Sequence, residues 1–154
     1  MSSAAPVGSA AAGRLAGDVY ICPLRVYYED TDAAGIVYYA NYLRFAERAR
    51  TELLRDLGIE NAQLMEQQNL AFAVKRCSMD FVKPAKLDDI LAVETRLIDI
   101  GGASLTADQR VRRDQTVLVN MELKLACMAN DGRPAAARGL RHRQADPGMN
   151  KRWK

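Results

Sequence analysis

One histidine among 154 residues is the sharpest shortage in this chain. Triad and general-base chemistry usually rests on an imidazole held by a rigid scaffold. The single one, His142, lies in RGLRHRQADPGMNKRWK, a polar stretch without apolar periodicity. Acid–base work therefore falls to a carboxylate. Cysteine is almost as scarce. Cys22, Cys77 and Cys127 are spread along the chain with no C-x-x-C pair, which fits neither a zinc cage nor a disulfide framework. They read as small buried apolar side chains in a reducing compartment, and no metal or dissociable cofactor is expected.

Long apolar runs are also missing: uninterrupted stretches reach only a few residues, against the ~20 needed to cross a bilayer. The opening MSSAAPVGSAAAGRLAG has no basic n-region and carries its one cation, Arg14, where the apolar part of a secretion signal should run. It reads as a flexible leader, 1–19, of a cytoplasmic protein. What is present is 49% hydrophobic and 27% charged residues, the composition of one soluble globular domain, taken as 20–140. Charge is uneven. From Arg133 onward seven cations face Asp146 alone, an excess of +6 in a chain of net charge +3, so the remainder carries −3. The tail 141–154 reads as a solvated basic end. Contact with an anionic membrane or nucleic acid is the alternative, with Trp153 its one interfacial anchor, and no nucleic-acid partner is expected.

Residues 20–29, YICPLRVYYE, alternate as a strand with Leu24, Val26 and Tyr28 on one face. From about Tyr38 to Leu57, the residues Tyr42, Leu43, Ala46, Ala49, Leu53, Leu54 and Leu57 recur at spacings of three and four, the stripe of an amphipathic helix stopped by Gly58. Ala46 and Ala49 would let that helix lie close to a sheet. A shorter helix, 61–68, follows with Asn61 as its N-cap. After Leu70 the stretches AFAVKRCSMDFV, DILAVETRLIDI, ASLTADQRVRRD and TVLVNMELKLACMA show period-two patterns broken by turn residues. Long strands, short loops and one long helix inserted after the first strand predict an α+β fold, an antiparallel sheet curled around a single central helix.

Chemistry concentrates in YYEDTDAAGIVYYANY, residues 27–42. Three acids in four residues at a strand end repel one another unless some reach solvent or cations. The last of them, Asp32, leads into a helix start, where unpaired N–H groups and the positive dipole end favour a developing oxyanion. A carboxylate beside such a terminus is a compact acyl-transfer apparatus. The alternative is an acidic turn whose aspartates cap the helix, and Glu29 and Asp30 are assigned mainly to that role. Gly35 reads as a position whose backbone shape excludes a Cβ.

The run YYEDTDAAGIVYYANYLRFAERARTELLRDLGI, continued by VKRCSMDFVKPAKLDDILAVETRL, closely resembles the 4-hydroxybenzoyl-CoA thioesterase family of hotdog-fold proteins, in particular its branch associated with the Tol-Pal cell-envelope system. The resemblance spans roughly residues 20–135. It implies a hotdog fold and makes Asp32 the catalytic carboxylate, the backbone N–H of Tyr39 the donor that polarises the thioester carbonyl, and Gly35 the residue that shapes the turn. Tyr38 and Asn41 are implied near the substrate, Asn41 as a brace of the loop. The Tol-Pal branch commonly has histidine where this chain has Tyr39, so an imidazole role is absent, while a backbone donor survives the change. Gly101, Gly102, Ala103 and Ser104 stand where some relatives carry basic residues for the coenzyme A phosphates. Lys83 and Lys86, with Arg76, are the substitutes.

The activity so implied is hydrolysis of a short or small acyl-CoA to a free acid and coenzyme A. A non-catalytic acyl-CoA or acyl-carrier-protein binding module linked to the envelope is the alternative, distinguished by Asp32, which a binder does not need. A homo-oligomer, dimer or tetramer, is expected because a sheet curled around one helix leaves an edge and a face uncovered.

Overall fold

The computed structural model describes residues 13–135. In chain order these form β1 (Arg14–Ala16), β2 (Val19–Arg25), a 3-10 turn (Tyr28–Asp30), α1 (Asn41–Asp56), α2 (Asn61–Gln68), β3 (Leu70–Phe81), β4 (Ile90–Ile100), β5 (Ser104–Arg113) and β6 (Thr116–Ala129). The strands make one sheet in the order β1-β2-β4-β5-β6-β3, antiparallel throughout. Helix α1 packs on β4, β2 and β5, and α2 packs on β3. This α+β arrangement is the hotdog architecture that the periodicity and the resemblance both called for. Among the described residues no helix is long and apolar enough to cross a membrane.

The stripe of α1 explains its seat. Ala46 and Ala49 are fully buried, and their small side chains bring the helix so close that the Gln109 amide on β5 donates to the Ala46 carbonyl at 2.9 Å. The helix ends in a Schellman arrangement. Gly58 adopts φ +83°, its N–H donates to the Arg55 carbonyl, and the Ile59 N–H donates to that of Leu54 at 2.8 Å.

Several details differ from expectation. Helix α1 starts at Asn41 rather than Tyr38, because Tyr38–Ala40 form a turn whose Tyr38 carbonyl accepts the Asn41 N–H. Leu43 is exposed, while Phe45 and Arg50 are buried. Asn61 is not an N-cap. Glu60 holds that position without a side-chain bond, and Asn61 is the first helical residue. Strand β2 stops at Arg25, and Tyr28, expected to continue the strand on the face of Leu24 and Val26, is 83% exposed in the 3-10 turn. The strand β1, which pairs with β2 around Gly17, escaped the sequence reading. Cys22 and Cys127 are buried as expected, but Cys77, on the edge strand β3, is exposed. His142 and Trp153 lie outside the described residues.

Along β5 the residues Leu105, Ala107, Gln109 and Val111 face the helix and are buried. The opposite face of the sheet is charged. Glu94 on β4 accepts from Arg110 and Arg112, each at 2.9 Å, and Asp18 pairs with Arg96 at 3.1 Å.

Candidate active site

The chain from Tyr27 to Tyr42 folds back on itself before entering α1. Thr31 bridges Val37, and the Asp32 N–H donates to the Ile36 carbonyl at 2.9 Å. The turn between them needs glycine at position 35. Its φ is +78°, and a Cβ there would meet nothing within 4 Å, so backbone conformation rather than space selects the residue. A second strip of chain steadies the turn: Ile36 bridges Lys86, the Val37 N–H donates to the Ala85 carbonyl, and the Leu87 N–H donates to that of Gly35. The Tyr42 hydroxyl on α1 accepts the Ala85 N–H at 3.0 Å, which ties the strip to the helix.

Each acid of the triplet has its own situation. The Asp30 carboxylate accepts the Tyr27 N–H at 2.8 Å, which closes the 3-10 turn and does not cap α1. Glu29 is exposed. The Asp32 side chain is exposed, and its Oδ1 accepts the Ala34 N–H at 2.8 Å. Its other oxygen has no hydrogen-bond partner among the described residues and is open to a reactant.

Helix α1 begins a few residues on, at Asn41, and its N-cap residue Ala40 makes no side-chain cap. The Tyr39 N–H, two residues before α1, forms no hydrogen bond among the described residues. The Tyr39 ring is 62% exposed. It meets Phe81 at the end of β3 edge-on, centroids 6.1 Å apart, and lies 4.9 Å from the Tyr38 ring. Hydrogen bonding to Tyr39 raises the Tyr38 phenol above its ordinary pKa. The Asn41 side-chain amide donates to the Asp30 carbonyl at 2.9 Å, so it braces the loop.

Lys83 and Lys86 lie exposed on the β3–β4 connection, and neither ammonium has a carboxylate within 4 Å among the described residues. Arg76 is exposed on β3, opposite Lys124. The same connection holds a support that the sequence reading missed. Asp89 Oδ2 accepts the Lys86 N–H at 2.8 Å and an Arg113 N–H at 2.7 Å. Partial burial alone would raise the Asp89 carboxyl, but these two partners hold it below its ordinary range. Phe81 and Tyr42 were missed too. Asp89, Arg113 and Phe81 reach the site only through the fold, whereas Tyr42 follows Asn41 in the same stretch of chain. Away from Asp32, a groove of about 790 Å³ runs between α1 and β2, with Leu24 and Phe45 in its lining and Arg25, Arg44 and Arg48 among its polar groups. Among the described residues no group of three His, Cys, Asp or Glu side chains is arranged to hold a metal ion.

A half-engaged carboxylate can attack a carbonyl, or activate water toward it, and an open backbone N–H can receive the negative charge forming on oxygen. The antiparallel sheet wrapped around one long helix defines a hotdog-fold protein. The model of the thioesterase-like superfamily matches residues 26–146, and the chain belongs to that family. It is a thioester hydrolase. The chain is 50% identical over 106 residues, 69% of its length and 78% of the relative's, to the acyl-CoA thioesterase YbgC of Haemophilus influenzae. A crystal structure of a probable thioesterase from Bartonella henselae superposes with a TM-score of 0.74 at 34% identity, covering 77% of this chain and 98% of that one. A 4-hydroxybenzoyl-CoA thioesterase variant crystallised with 4-hydroxybenzoyl-CoA shares the fold, with a TM-score of 0.71 at 23% identity over 78% of this chain and 91% of that one.

Proposed function

We propose that the protein hydrolyses small acyl-CoA thioesters to a free acid and coenzyme A, with Asp32 as the reacting carboxylate and the Tyr39 N–H as the oxyanion donor. The observation that carries this reading is an Asp32 oxygen and a Tyr39 N–H that both lack a hydrogen-bond partner among the described residues, in a chain that belongs to a family of thioester hydrolases. In one route the free Asp32 oxygen bonds to the thioester carbon and the C–S bond breaks. The thiolate leaves and takes a proton, and water then cleaves the mixed anhydride to restore Asp32. In the other, Asp32 takes a proton from water as its oxygen bonds to that carbon, and collapse of the adduct expels the thiolate. Both routes put negative charge on the carbonyl oxygen, the charge that the Tyr39 N–H meets.

Gly35 and Asn41 keep the turn in shape. Tyr38, Tyr39 and Phe81 give the acyl group an aromatic wall. Lys83 and Lys86 offer cations to the coenzyme A phosphates from the connection bridged to the Asp32 turn. The working form is a homo-oligomer, because β3 is a twelve-residue edge strand with Val74 and Phe81 about half exposed, an edge that natural sheets seldom leave bare.

A thiol-release assay across acyl-CoA substrates, run on the native chain and on Asp32→Asn, tests the reading. Turnover that depends on Asp32 supports it, and equal turnover by the two proteins refutes it.

A further inference from the structure

The buried face of α1 is smooth where the helix lies closest to the sheet. Ala46 and Ala49 are fully buried there, and their methyl groups offer no large knob to stop the helix from sliding along its axis or turning about it. One polar side chain supplies what the alanines lack. Gln109 on β5 is fully buried and meets α1 twice: its amide nitrogen donates to the Ala46 carbonyl at 2.9 Å, and its Oε1 accepts from Arg50 Nη1 at 2.8 Å. The first contact holds the backbone of the helix, the second a side chain one turn further on. The amide nitrogen also donates to the Thr95 hydroxyl on β4 at 2.9 Å, and Thr95 stands directly opposite Gln109 in the β4–β5 ladder. Both amide donors are thereby used, and the side chain is fixed at its base by two neighbouring strands. Burial lowers the Arg50 pKa and Glu47, one turn earlier on α1, works against that, so Arg50 has its counter-charge within the chain.

This grip lies near the reacting groups. Ala46 is five residues after Asn41, the first residue of α1, which is about 7.5 Å along the helix axis. Asn41 holds the Asp30 carbonyl, and Tyr39 precedes it by two residues. The Asp32 turn is held by a different route, through Val37 and Gly35 to Ala85 and Leu87 on the β3–β4 connection. The Ala85 N–H also donates to the Tyr42 hydroxyl in the first turn of α1. A hydrogen bond at one point leaves rotation about that point open, and the grip of Gln109 one turn further along closes it.

We propose that Gln109 is a positioning residue for the hydrolysis: by holding α1 at one setting on the sheet, it fixes where the Tyr39 N–H stands relative to the Asp32 carboxylate. The proposal rests on the reading of Asp32 and Tyr39 above. A displacement of about 1 Å between reacting groups costs about a hundredfold in rate. The loss falls on kcat, because the bond from the N–H to the carbonyl oxygen strengthens as negative charge develops there in the transition state.

Gln109→Glu tests it. The change keeps the size of the side chain and an acceptor for Arg50, and it removes the donor to the Ala46 carbonyl. Thiol release from acetyl-, butyryl- and benzoyl-CoA, measured where circular dichroism and urea unfolding show the variant folded, is expected to give a kcat about tenfold or more below native with KM within about twofold. Thr95→Val and Thr95→Ser form a second test, which stands alone should Gln109→Glu fail to fold. Val keeps the shape of Thr without the acceptor for Gln109, whereas Ser keeps the acceptor and loses a methyl group. Positioning lowers kcat about threefold or more in Thr95→Val and leaves it native in Thr95→Ser; a merely structural role leaves kcat per folded chain native in both. Native kcat per folded chain in Gln109→Glu, or in Thr95→Val where that variant decides, overturns the proposal, and loss of turnover by Asp32→Asn in the same assay then leaves the reading of Asp32 standing. A native chain that releases no thiol from any of the three substrates, or an Asp32→Asn chain as active as native, overturns both.

Discussion

Replacing Asp32 by asparagine separates the chemistry of the site from its architecture. Asn keeps a carbonyl oxygen where Oδ1 accepts the Ala34 N–H at 2.8 Å, and the side chain is exposed. The change in folding stability is therefore expected to stay within about 0.5 kcal/mol, as for an ordinary surface substitution. An amide can neither form the anhydride nor take a proton from water near neutral pH, so both routes fail. Turnover should fall on the order of a thousandfold, about 4 kcal/mol in the barrier. Asp32→Ala should lose as much turnover and also about 1 kcal/mol of stability, because it deletes the hydrogen bond to Ala34. Thiol release measures the first quantity and urea unfolding the second. Glu29→Gln and Asp30→Asn serve as neighbours with the same charge change, and both should be milder. The reasoning is refuted if Asp32→Asn keeps a tenth or more of native turnover, and the carboxylate is misassigned if one of those neighbours loses it instead.

Gly35→Ala should cost about 1–2 kcal/mol from the left-handed backbone alone, since a Cβ finds open space there; calorimetry showing no loss would mean that the turn relaxes freely. Gln109→Leu should destabilise the fold by about 3 kcal/mol or more, because it takes from the buried Arg50 its only hydrogen bond, and a loss below about 1 kcal/mol by urea unfolding would contradict that. Asp89 has a folded pKa below its unfolded value of 3.8. Its contribution to stability is therefore present above that unfolded value and lost as pH falls through the lower folded one. Asp89→Asn should flatten the acid limb of stability against pH, and an unchanged limb in acid titrations followed by circular dichroism would argue against the brace.

Spacing along a chain reports which face of an element a residue shares, and that is why α1 and the four long strands were legible. Tyr42, Ala46, Ala49, Leu53 and Leu54 share a stripe whatever the stripe meets. Arg50 lies on that stripe too, four residues after Ala46 and three before Leu53, yet a charged residue there reads as a lapse in the pattern until the fold supplies Gln109 as its partner. Strand β1 is three residues long, too short for any period to register, and the exposure of Cys77 follows from β3 being last in the sheet, an order that alternation does not encode. The same distinction divides the candidate site. Asp32, Gly35, Tyr39 and Asn41 fall within ten residues, so turn chemistry and one motif are enough to find them. Asp89, Arg113 and Phe81 shape the same loop from other elements, and no local signal marks them. A contiguous sequence can thus state where the candidate bond-making groups are, while the groups that hold them still are decided by which strands end beside α1.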